Sequence, residues 1–228
     1  MRVTTRRCHE RGHPELEVDY DPEKLLALDA ERFAELLESM VHAGSRFEIG
    51  QSLQIGWSRA WFTPGSSPGL LAFEEPDMQS MPIARQPGLT YSLAHLRFQK
   101  DTLQSVLPAD ALEFPSLLDS CLVCSRVELS PVFFMDRHEP DGAISGWFIG
   151  CCDEAHDHNQ LSELERVSVY EAVIRRCRGA LQYLAFPAGA MIVADEWPEF
   201  FMNGKELEVR PGSFVDATLN ARSRSDLE

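Results

Sequence analysis

Cysteine and histidine are the side chains whose types and spacing best suit chemistry in this chain. Cys121-x-x-Cys124 and the adjacent pair Cys151-Cys152 offer four thiols, and His156-Asp157-His158 follows shortly after. Thiolates and imidazoles are the ligands zinc prefers. The His-x-His pair, with Asp153 or Glu154 as base for a bound water and His138 as a third ligand, would suit a metal-dependent hydrolase. Each reading meets an objection. Cys121 and Cys124 fall in a predicted strand, where residues three apart point to opposite faces, and Leu122-Val123 is a poor turn for a zinc knuckle. Of the seven histidines, His9 and His13 lie in the N-terminal segment and His42 and His95 in predicted helices of the other half. Reduced, buried thiols beside a charged surface loop are therefore expected, with no metal and no cofactor. A metal-dependent hydrolase using His156 and His158 stands as the alternative. Nucleophilic catalysis finds less support. The chain has no Gly-x-Ser-x-Gly elbow, Cys151 and Cys152 near His156 have no third partner, and Gly142, Gly146 and Gly150 do not follow phosphate-loop spacing.

The elements that must position this loop are legible around it. Ser145-Gly146 reads as a turn, Trp147, Phe148 and Ile149 as a buried strand, and Gly150 frees the backbone before Asp153, Glu154, His156, Asp157 and His158. A rigid strand thus delivers charge to a loop, a common way to present a functional surface. Strands are also predicted over 121–127, 132–136 and 167–170, with the turn His138-Glu-Pro-Asp-Gly142 between the second of these and the central strand. A helix is expected over 171–178. Asn203-Gly204, between apolar 200–202 and 207–209, is a type I′ hairpin signal.

In the first half, Asp21-Pro22 opens a helix whose Phe33, Leu36, Leu37, Met40 and Val41 share a face, and Gly44 stops it. Leu53, Ile55 and Trp57 alternate as a strand, the Pro/Gly/Ser run 63–69 is a surface loop, and 70–73 returns as the partner strand. Glu74, Glu75 and Asp77 read as a solvated turn. Thr90 caps a helix through Leu93, Leu96 and Leu103 that ends before Pro108. The fold class is α+β, with mostly antiparallel sheets, a few packed helices and two subdomains. The expected organisation is a loose N-terminus over 1–18, an α+β domain over 19–115, a second over 116–216, and a flexible tail over 217–228.

A formal net charge of −15 in 228 residues opposes nucleic-acid phosphates and anionic membrane surfaces, and favours encounter with a basic protein. No stretch approaches the roughly 20 apolar residues of a membrane span. Met1–His13 carries four arginines with no apolar run after them, so it is no secretory signal. With cysteines in apolar segments, a cytoplasmic protein is expected. By charge, Arg137, Asp141, Asp153, Glu154, Asp157 and His158 are the candidate partner contacts, with Trp147 a core residue beneath them.

Arg137-His-Glu-Pro-Asp141, Ser145-Gly-Trp-Phe148, Gly150 and Asp153-Glu154 together resemble a bacterial toxin-immunity family marked by an Arg-x-x-Pro-Asp turn and a Ser-Gly-Trp step. Ser168-Val-Tyr170 and Pro187-Ala-Gly189 extend the resemblance to about residues 117–195. Ile144 stands where an acidic residue often precedes the Ser-Gly-Trp step, and Cys151-Cys152 intervene between Gly150 and Asp153. The resemblance implies a non-enzymatic, stoichiometric inhibitor of a cognate secreted toxin. The acidic charge adds the expectation that this toxin is a basic nuclease, delivered by a contact-dependent or type VI secretion route.

Overall fold

The computed structural model describes residues 1–153 and 155–225, and the chain divides into two compact units, Met1–Arg97 and one beginning at Phe98. The chain is α+β, built on two mostly antiparallel sheets with a few helices. Among the described residues, no helix is long and apolar enough to cross a membrane.

The first unit begins with a correction. Residues expected to be loose form β1 (Arg2–Thr4) and β2 (Glu15–Asp19), an antiparallel pair in the register Val3↔Val18. Leu16 and Val18 are fully buried, and Arg2 reaches Asp19 at 2.7 Å and Glu17 at 2.9 Å. The polar sequence hid this because the strand's buried face is short and its charges are paired across the hairpin. Glu15 ties the intervening loop down by accepting from Thr5 Oγ1 at 2.6 Å and from the N–H groups of Cys8 at 3.2 Å and His9 at 3.0 Å. Burial pulls its pKa upward, but these hydrogen bonds outweigh burial and take it from 4.5 down to about 2. A lowered carboxylate pKa stabilises the fold above the unfolded value, and that stability is lost as pH falls through the folded one. Acid unfolding of this unit should therefore show a limb between pH 4.5 and about 2, read by circular dichroism. Glu15→Gln should flatten the limb, and an unchanged acid profile in that variant would refute the assignment.

The first helix, α1 (Ala27–His42), starts later than the proline suggests, because Asp21 Oδ1 accepts the Glu23 N–H at 3.0 Å and closes a separate turn. Ala30, Phe33, Ala34, Leu37 and Val41 are its buried face, whereas Leu36 is 54% exposed, off the apolar stripe. Next come β3 (Ser52–Ile55), β4 (Ser58–Pro64), β5 (Leu70–Pro76) and β6 (Arg85–Pro87). The sheet runs β1-β2-β5-β4-β3, with β6 also on β5. Its core gathers Leu16, Val18, Phe33, Leu37, Phe62 and Phe73.

Glu75, expected in solvent, is 1% exposed and accepts the N–H groups of Tyr91 at 3.0 Å and Ser92 at 2.7 Å. These open the helix α2 (Thr90–Gln104), whose N-terminal amides need an acceptor and favour negative charge. Burial raises the Glu75 pKa more than these N–H bonds lower it.

The second unit is built on β7 (Ser120–Cys124), β8 (Phe133–Arg137), β9 (Ile144–Cys151), β10 (Leu164–Ser168) and the short helix α3 (Val169–Glu171). A π-helical turn over Ala172–Arg176 follows, then β11 (Ala190–Ala194), β12 (Glu199–Met202) and β13 (Lys205–Glu206). The sheet order is β10-β7-β9-β8-β11-β12-β13. Every pair is antiparallel except β7–β9, which is parallel. Asn203 and Gly204 close β12–β13 with φ of 50° and 75°, the left-handed pair a type I′ turn requires. Residues from Ala217, expected as a flexible tail, continue the helix α4 (Phe214–Ser225), whose Val215 is buried and donates its N–H to Ser105 Oγ at 3.1 Å.

Alternate residues of this sheet divide cleanly. Val123, Met135, Trp147, Ile149 and Ile192 are buried on the inner face, where Trp147 alone removes a large apolar area from water. On the outer face Leu122, Phe134, Phe148 and Leu164 are only partly covered.

Candidate functional site

The β8–β9 connection is where the resembling residues converge. β9 carries two more residues than β7 between their paired positions, from Ser120↔Ile144 to Leu122↔Phe148, so Ser145-Gly146 forms an irregular bulge. Gly146 sits at φ +79°, and a Cβ there would lie 2.0 Å from the His138 carbonyl oxygen. Ser145 Oγ donates to Ser120 O at 3.0 Å and holds the neighbouring strand. The step is thus demanded by backbone geometry.

Arg137 requires a correction. Its selection as a surface contact rested on charge, yet it is 1% exposed. Its Nη1 donates to the carbonyls of Glu113 at 2.6 Å, Leu184 at 3.3 Å and Phe186, and its Nη2 to Glu113 Oε1 at 2.8 Å. The guanidinium also lies over the Trp147 ring, 5.2 Å from its centroid. Burial lowers its pKa against the opposing pull of Glu113. Three main-chain carbonyls that converge on one guanidinium nitrogen hold the cation inward, and no charge count anticipates that.

The remaining candidates split between the two ends of the sheet. Asp141 is exposed at the β8–β9 turn. Asp153, Asp157 and His158 follow the other end of β9, roughly 23 Å away for eight extended residues. Glu154 lies outside the described residues. Asp153 is exposed and 3.5 Å from exposed Arg126, a weak pair. Asp157 is exposed and accepts the Asn159 N–H at 3.0 Å, which lowers its pKa. His158 is not a free surface cation. It sits edge-on to Phe134 at 5.4 Å and Phe148 at 5.7 Å, and burial first, then neighbouring His156, lowers its pKa.

Sequence reasoning passed over the β11–β12 turn. Ala194 pairs with Phe133, which pairs with Cys151, so Asp195-Glu196-Trp197 leave the sheet at the same end as the Asp153–Asp157 loop. Trp197 is 58% exposed among these acids. Its signal was present as an aromatic in Asp-Glu-Trp-Pro-Glu, a composition too polar for a core strand. Along the outer face, toward the β8–β9 turn, lies a groove of about 310 Å³ lined by Leu122, Ile144, Phe148, Leu164, Glu139 and Arg166. An open sheet face is ordinarily polar, and apolar residues on it mark a place for a partner.

The end of the sheet that carries Asp153 and Asp157 gathers thiols and imidazoles. Cys124, Cys151 and His156 are buried, and their donor atoms lie with that of His158 within 4.8 Å of one another. The thiols are free and mostly buried, as expected, but two of them meet. Cys121 keeps to the face of Val123, but Cys124 meets Cys151, its sulfur 3.6 Å away. Burial raises the Cys151 thiol.

Residues 99–202 match the Imm33-like domain. That segment includes β7 to β12 with the bulge, the buried arginine, the thiol–imidazole cluster and the acidic turn. The match supports an immunity-protein family. No curated protein and no solved structure matches the chain.

Proposed function

We propose that the chain is the immunity protein of a secreted antibacterial toxin and neutralises it by direct one-to-one binding in the cytoplasm of the producing cell. The observation that carries this is the Imm33-like match over 99–202, on a sheet whose one end projects acidic side chains and an exposed tryptophan. The partner is a basic nuclease effector, delivered by a contact-dependent or type VI route. A chain of net charge −15 suits a toxin that must itself attract phosphate. Asp153, Asp157 and Asp195 steer the approach and Trp197 supplies the buried anchor, while the chain itself contacts neither nucleic acid nor membrane. The hydrolase alternative built on His156 and His158 gains nothing from the geometry, since His156 is buried with Nδ1 turned to two thiols at 3.1 Å.

The test is capture from native lysate with the purified chain, eluted by a salt gradient. One basic protein at equal stoichiometry, released by salt and toxic without the chain, is the expected result. Trp197→Ala should then weaken affinity by tenfold or more, about 1.4 kcal/mol, as interface aromatics do. An acidic partner, or an affinity indifferent to salt, would sink the electrostatic part of the proposal.

A further inference from the structure

We infer that Cys124, Cys151, His156 and His158 form a structural zinc site. Four donors from the ends of β7 and β9 and from the following loop converge on one point. The Cys124 and Cys151 sulfurs are 3.6 Å apart, His156 Nδ1 is 3.1 Å from each, and His158 Nε2 is 3.5 Å from Cys151 Sγ. A tetrahedral zinc with Zn–S of about 2.3 Å and Zn–N of about 2.0 Å has edges of roughly 3.8 Å between sulfurs and 3.5 Å between sulfur and nitrogen. These four of the six edges match to within a few tenths of an ångström, and all four donor atoms lie within 4.8 Å of one another, so a small inward shift of His158 completes the tetrahedron.

The chemistry agrees with the geometry. Without a metal, one imidazole nitrogen faces two thiols and bonds well to only one of them at a time. With zinc, each thiol loses its proton and each imidazole binds neutral, so two thiolates cancel the ion's charge and the buried centre is neutral. The ring positions are supported from outside. His156 Nε2 is buried without a hydrogen-bond partner among the described residues, yet lies 3.3 Å from Glu163 Oε2, off the bonding line. Glu163 in turn accepts from Ser125 Oγ at 2.9 Å. A small rotation makes it the outer carboxylate that metal-bound imidazoles usually have. Gly150 gives His158 its place, because a Cβ there would stand 3.3 Å from His158 Nε2 and 2.5 Å from the Phe134 ring. Four protein ligands close the tetrahedron and leave no position for a water, so the site staples the loop of Asp153 and Asp157 to the sheet and has no hydrolytic role. This inference holds whatever the domain binds.

The full chain, purified with its thiols reduced, should carry one zinc per molecule by inductively coupled plasma mass spectrometry. Cobalt in its place should give the intense visible bands and thiolate charge transfer of a tetrahedral site. Cys124→Ser and His156→Ala should lose most of the metal, whereas Cys121→Ser and Cys152→Ser should keep it. Wild-type chain that stays metal-free after titration with zinc overturns the assignment without any variant. So do cobalt spectra lacking thiolate transitions, a Cys124–Cys151 disulfide in the isolated chain, or equal metal loss in the Cys121 and Cys152 variants.

Discussion

Arg137→Met should lower the stability of the Phe98-onward unit by about 3–5 kcal/mol, the scale on which breaking a buried charge network destabilises a fold. The methionine retains most of the packing over Trp147, so the cost isolates the lost donors. Three main-chain carbonyls, of Glu113, Leu184 and Phe186, lose their guanidinium partner, and each buried acceptor left unpaired costs about 1–3 kcal/mol. Glu113, partly exposed, can return to water and adds little. Arg137→Lys should recover only part of the loss, because one ammonium cannot reproduce the planar fork that spans these carbonyls and the carboxylate. Urea unfolding of the full chain reads the effect. Affinity of the folded fraction for the proposed partner should stay within about twofold of wild type. A variant of wild-type stability with lost binding would return Arg137 to the surface role its charge first suggested.

Gly146→Ala should cost about 2–5 kcal/mol by two additive effects, left-handed backbone at about 1–2 kcal/mol and overpacking at about 1–3 kcal/mol. The added Cβ would lie 2.0 Å from His138 O and 2.9 Å from His138 C, both backbone atoms that cannot rotate away. Relief requires opening the β8–β9 pairing, which His138 N–H to Gly146 O at 3.0 Å closes. Gly142→Ala, in the same turn at φ +57° with nothing within 4 Å, is the control and should cost only about 1 kcal/mol. Equal losses in the two variants would mean that conformation alone, not the close approach, makes glycine necessary at 146. Both expectations place residues carrying the family resemblance in the scaffold, apart from the acidic loops proposed for binding.

Local signals were legible because local chemistry decides them. The apolar run Trp147–Ile149 had to be a buried strand, Phe33, Leu37 and Val41 had to share a helix face, and Asn203-Gly204 had to turn, since only such residues tolerate the two positive φ angles observed. Trp147 lay in the core as its size required. Charge as a guide to exposure held for Asp141, Asp153 and Asp157 but misled at two other positions. Arg137 and Glu75 are each 1% exposed, one held by carbonyls and the other by helix-start amides, and those partners come from segments that no local pattern connects.

The sequence by itself determined the fold class, the central strand before the charged loop and the acidic character of the chain. The cysteine–histidine cluster was decided by tertiary structure alone. Cys124 and Cys151 are 27 residues apart, and they meet because β7 and β9 run parallel, with Val123 beside Ile149. An antiparallel pairing would have sent the two strand ends in opposite directions and left the sulfurs a strand length apart. Strand direction depends on how the whole sheet is ordered, and the alternation of apolar residues is the same for either choice.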